Sequence, residues 1–156
     1  MLIDGTGPNQ MFDNITVDVD GNLLLQEDPG NQPHAAKIWK FYPGSRQLVL
    51  IAKADPQRFG DREGGTTTPP TAPFNADEES SGILDVTHLF TKGRGGHRFH
   101  ERDRDDHEDE IDDRIKWAKP GTRFYLGTVQ PHYSVGDAEL VEGGQLFLLQ
   151  VPKRVR

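Results

Sequence analysis

The stretch Phe12-Asp13-Asn14-Ile15-Thr16-Val17-Asp18-Val19-Asp20-Gly21-Asn22-Leu23-Leu24-Leu25-Gln26-Glu27-Asp28 decides the fold. Two apolar-rich runs flank Asp20-Gly21-Asn22, and Gly and Asn tolerate a positive φ at little cost, so the segment reads as an antiparallel hairpin with a two-residue turn. Asp13 and Asn14 stand at the start of one strand, Glu27 and Asp28 at the end of its partner. Opposite ends of an antiparallel pair lie at the same edge of a sheet. Four oxygen-bearing side chains are therefore expected at one rim, the donor type that holds a hard cation such as calcium. The plainer reading is that Asp13 and Asn14 cap a turn while Glu27 and Asp28 solvate a loop.

The strand pattern continues downstream. Candidates cover residues 15–18, 22–26, 37–42 and 47–53, separated by the hairpin turn, a polar Pro/Gly loop over 28–33 and Pro43-Gly44-Ser45. Four strands in about 40 residues are the content of one propeller blade. The run Leu48-Val49-Leu50-Ile51-Ala52 is apolar on both faces and Lys37-Ile38-Trp39-Lys40-Phe41-Tyr42 is mixed, as expected where sheets stack face to face. Residues 55–73 read as loop, with Gly64-Gly65, Thr66-Thr67-Thr68 and Pro69-Pro70 denying regular pairing. Strands resume at 83–90, 122–130 and 145–151, one short of a second blade. The expected fold is all-β, a partial propeller of about two blades. Residues 1–54 form the complete blade, 55–82 a loop, and 83–151 an incomplete last blade carrying an insertion at 92–119. The core of that insertion, residues 100–114, is nearly all charged and offers only Ile111 and Ile115 at helical spacing, so a mobile segment is expected there.

Composition agrees with short strands and many turns. The 156 residues are 33% hydrophobic and include 17 Gly and 11 Pro. A closed six-bladed ring needs roughly 250 residues, so the chain reads as a piece of one, or as a frame opening at an internal methionine. A net charge of -7 argues against a nucleic-acid partner, because no basic stripe is available to neutralise phosphates. The absence of cysteine excludes disulfides, Cys-based zinc sites and thiolate catalysis. No apolar run approaches the ~20 residues of a membrane helix.

Several motifs bear on chemistry. Asp77-Glu78-Glu79 crowds three carboxylates before a strand, a repulsion relieved by water, by a cation or by a positively charged neighbour. Asp18-Val19-Asp20-Gly21-Asn22 has its glycine at the fourth position rather than the sixth, so a hairpin turn explains it better than an EF-hand loop. Ser80 and Ser81 lack a Gly-x-Ser-x-Gly elbow and are not nucleophile candidates. His97, His100 and His107 fall in the charged insertion, where such spacing arises by chance. His132 directly follows a strand and is placed to face the rim, although a bond to a backbone carbonyl explains it as well.

Taken in order, Asp13-Asn14 through Leu23 running into Glu27-Asp28, then Asp77-Glu78-Glu79-Ser80-Ser81-Gly82-Ile83, then Glu139-Leu140-Val141-Glu142-Gly143-Gly144-Gln145 resemble the C-terminal portion of the PhoX-type alkaline phosphatases, which are six-bladed propellers. The similarity covers most of residues 2–90 and 122–150. The Asp-Asn-hydrophobic opening of a blade also resembles the gluconolactonase-like lactonases. The resemblance implies a metal-dependent hydrolase of small phosphomonoesters that uses calcium and iron and is exported to the periplasm or beyond. It implies Asp13, Asn14, Glu27, Asp28, Glu78 and Glu79 as metal ligands, with Asn14, Glu27 and Glu78 foremost. The Arg-Pro-Glu-Asp-like motif that such proteins carry before this region has no counterpart here, so no catalytic residue is assigned and the chain alone is expected to be inactive. Its expected partner is the N-terminal portion of the propeller. Two rivals remain: a lactonase with a single calcium at Asn14, and a non-catalytic calcium-binding propeller module.

Overall fold

The computed structural model describes residues 2–4, 7–29, 35–61, 67–75, 78–91, 118–139 and 143–153. Residues 92–117, most of the charged insertion with its histidines, lie outside them, as do Asp77 and residues 140–142. The protein is all-β. Strands β1 (Phe12–Val17), β2 (Leu23–Glu27), β3 (Lys37–Tyr42) and β4 (Gln47–Lys53) form a four-stranded meander in the order β1-β2-β3-β4. A second sheet, in the order β5-β6-β7, comprises β5 (Glu78–Asp85), β6 (Thr122–Pro131) and β7 (Gln145–Pro152). All five ladders are antiparallel, and neither sheet is closed.

The first hairpin turns differently from the expected two-residue loop. Gly21 N–H donates to Asp18 O (3.0 Å) and Asp18 N–H to Asn22 O (2.9 Å), so Val19, Asp20 and Gly21 form a three-residue loop. Gly21 takes the positive φ of 79° that this loop requires, a conformation in which a side chain is strained. The fifth strand also differs: β5 runs from Glu78 to Asp85, where the sequence suggested 83–90. A bulge between Ser80 and Ile83, with Gly82 at φ 78°, lets the acidic stretch join the sheet. Asp85 then ends the strand, its carboxylate accepting Thr87 N–H at 2.8 Å as the chain enters a 3-10 turn over Thr87–Leu89. Between the sheets a short helix, α1 (Pro56–Phe59), is capped by Asp55, whose side chain accepts Gln57 N–H.

The core follows from strand alternation. Leu24 and Ile38 on one face of the first sheet pack against Ile83, Tyr125 and Val151 of the second. The opposite face of the first sheet carries Leu25, Trp39 and Phe41, partly covered by Ile3 and Leu48. On β6, Gly127 leaves room for the ring of its cross-strand partner Phe147, which a Cβ at 127 would meet at 2.5 Å. Both outward faces remain apolar in part. Ile15 and Val17 are 62% and 59% exposed on one; Leu84 and Leu146 are 63% and 69% exposed on the other.

Candidate metal centre

Strand alternation separates neighbouring acids that the sequence places side by side. Glu27 points to the Trp39 face and is fully buried. Its Oε1 accepts Gln10 N–H (2.8 Å) and the Trp39 indole N–H (2.8 Å), and its Oε2 accepts Lys37 N–H (3.1 Å). Three N–H groups hold this carboxylate in place of water, which is how a buried acid is accommodated. Glu78 is likewise buried; it lines a cleft of about 350 Å³ between the sheets and accepts Ala36 N–H at 3.2 Å.

Asp28 and Glu79, the next residue along each strand, turn the other way. Asp13, Asp28 and Glu79 bring one carboxylate oxygen each to within 4.8 Å of one another. Asp13 joins them through a bulge: Phe12 pairs with Glu27 and Asn14 with Gln26, so Asp13 is the extra residue, and such an insertion re-aims a side chain. Asn14 donates its amide N–H to Asp13 Oδ2 at 2.8 Å, which leaves the Asn14 oxygen as its acceptor atom. His132 reaches the cluster from the end of β6, with Nε2 3.5 Å from Glu79 Oε2. Of the six residues expected at the rim, Asp13, Asp28 and Glu79 converge, Asn14 contacts Asp13, and Glu27 and Glu78 turn to separate N–H donors.

Calcium fits this donor set. Two oxygens bound to one calcium at 2.3–2.6 Å lie at most about 5 Å apart, close to the spread found here, and the set is wholly oxygen apart from His132. The partial exposure of Asp28 and Glu79 and the exposure of Asp13 leave room for water to complete the coordination.

The other end of the same hairpin carries an arrangement that the sequence reading missed. Asp18 Oδ2 lies 2.7 Å from Lys40 Nζ, with both side chains at 0% exposure, and accepts the Tyr125 hydroxyl at 3.1 Å. Lys40 Nζ also donates to Tyr125 Oη at 3.0 Å. Asp18 Oδ1 accepts the N–H groups of Asp20 and Asn22, so one carboxylate closes the turn and joins the sheets. Burial by itself raises the Asp18 carboxyl, but the Lys40 ammonium and the Asn22 donors outweigh it and hold it below its ordinary 3.8. Burial, then the Asp18 charge, pushes the Tyr125 hydroxyl far upward, so it stays protonated and donates. Beside this network Arg123 grips Asp20 with a fork, Nε at 2.6 Å and Nη2 at 2.9 Å, and Asp85 accepts Val19 N–H at 2.8 Å. The available signal was a lysine between Trp39 and Phe41, placed by alternation on the inward face.

Fold and site thus define an all-β chain of two stacked antiparallel sheets with an oxygen-rich rim at one end. No family model matches it, and comparison with curated proteins and with solved structures finds no match either.

Proposed function

We propose that this chain binds calcium at the rim formed by Asp13, Asp28 and Glu79, and that it contributes two blades to a PhoX-type propeller that hydrolyses phosphomonoesters. The observation that carries the cation reading is the convergence of the three carboxylates within 4.8 Å. The propeller reading is supported by the four-stranded meander stacked on a second sheet and by apolar side chains on both outward faces, where further blades would pack. In such an enzyme the cation neutralises phosphate charge and positions the attacking oxygen. Export to the periplasm or beyond and a role for iron rest on the resemblance; the oxygen-rich donor set favours calcium.

A non-catalytic calcium-binding module is the second reading. It needs only the convergence of Asp13, Asp28 and Glu79 and no further residue of this chain. Elemental analysis and calcium-dependent melting test the cation reading. Calcium is expected to raise Tm in the native chain and to leave an Asp28→Asn, Glu79→Gln double variant unmoved; equal shifts in both would sink it. Turnover of a phosphomonoester, once the chain is joined to a propeller portion bearing the Arg-Pro-Glu-Asp motif, separates the enzyme from the module. Hydrolysis of a sugar lactone by that assembly would favour the lactonase instead.

A further inference from the structure

Gln26 is the anomaly of the inter-sheet interface. It is fully buried, and neither its carboxamide oxygen nor its nitrogen has a hydrogen-bond partner among the described residues. An amide stranded in this way is costly unless water or a ligand completes it.

The ladder fixes where it points. Asp28 N–H donates to Met11 O at 3.0 Å, so pairing between the first two strands runs past Glu27, and Gln26 and Asp28, two residues apart, share a face. Directly across from Gln26 stands Asn14, whose amide holds Asp13. Leu24 lies on the same face and packs on Ile83 and Tyr125, so this is the face turned to the sheet that supplies Glu79. Gln26 therefore stands one strand repeat, about 7 Å, inward of Asp28, on the face that Asp28 shares. A glutamine side chain spans most of that distance.

We infer that the Gln26 carboxamide oxygen is the inner ligand of the cation whose outer ligands are Asp13, Asp28 and Glu79. The inference deepens the calcium reading above and rests on it. Calcium takes amide oxygens alongside carboxylates and needs six to eight donors. Asp13 is exposed and Asp28 and Glu79 are half-buried, so water reaches the carboxylates, and a buried neutral oxygen from Gln26 adds a donor that solvent does not supply. A ligand role also accounts for a buried polar residue directly after the apolar run Leu23-Leu24-Leu25.

Isothermal titration of the chelator-treated full chain with calcium chloride tests it, alongside melting with and without calcium. The variants are Gln26→Leu, which keeps the shape and removes the oxygen, and Gln26→Glu, which adds charge at the same place. A ligand role predicts that Gln26→Leu melts higher than native without calcium and binds calcium roughly tenfold or more weakly. It predicts that Gln26→Glu melts lower without calcium and gains a larger calcium-induced rise in Tm. A Gln26→Leu chain with native calcium affinity overturns the assignment, since the orphaned amide then marks only a buried water. Should the Leu variant not fold, a Gln26→Glu chain with no enlarged calcium shift overturns it equally. A native chain with no calcium binding at all is a different result: it removes the rim reading itself.

Discussion

The two ends of the first hairpin put the same chemical group to opposite uses. At the turn, Asp18 meets Lys40 and Tyr125, Asp20 meets Arg123, and Asp85 meets backbone N–H groups. At the rim, Asp13, Asp28 and Glu79 meet one another. Carboxylates matched to buried cations and donors join two sheets; carboxylates gathered at a solvent-facing edge repel one another, a repulsion that a bound cation would relieve. The hairpin is thus a clamp at one end and an acidic rim at the other, with about five residues of strand between.

The largest expected effect breaks the clamp. Lys40→Met leaves the Asp18 charge buried without its partner and is expected to cost about 3–5 kcal/mol in denaturant unfolding, with Asp18→Asn added to it restoring part of the loss. Added calcium would sharpen the rim side. At a hundredfold excess over Kd it is expected to stabilise the native chain by about 2.7 kcal/mol, read as a rise in Tm. Arg123→Lys, at the clamp, should leave that increment intact while lowering the baseline by about 1.5 kcal/mol, because an ammonium does not reproduce the two-pronged grip on Asp20.

Acid should act on the clamp as well. Asp18 and Asp20 both titrate below the ordinary 3.8 when folded; for Asp20, burial opposes the shift and the Arg123 guanidinium outweighs it. The stability they contribute is therefore complete above that value and drains away as pH falls through it, and urea midpoints measured down the acid limb should decline there. In Asp18→Asn, Asp20→Asn that decline should be shallower. The smallest expected effect is at the turn itself, where Gly21→Ala forces a side chain to φ 79° and should cost about 1 kcal/mol.

Much of the fold was legible. The expected spans 37–42 and 47–53 coincide with β3 and β4, because Pro43-Gly44-Ser45 and long apolar runs mark their limits. The fifth strand was displaced because Glu78 and Glu79 resemble a solvated loop in composition. A bulge turns Glu78 and Ser80 inward and Glu79 toward the rim, which hydropathy does not encode. At the site, the sequence places acids near one edge, and the structure brings Asp13, Asp28 and Glu79 together, but the sequence carries no direct sign of which neighbour faces which way. Period-two alternation sends Glu27 and Asp28 to opposite faces, so two adjacent acids become a strut and a rim group. Lys40 and Gln26 are silent in the sequence for a related reason: each is a lone polar residue beside apolar neighbours, and its meaning depends on what the other sheet sets against it.

The indole of Trp39 donates its N–H to Glu27, immediately before Asp28 in the chain. The protein thereby carries its own optical probe. With Trp117 replaced by Phe, emission from Trp39 alone reports the surroundings of Glu27, and a change on adding calcium would register a rearrangement next to Asp28 without an attached dye.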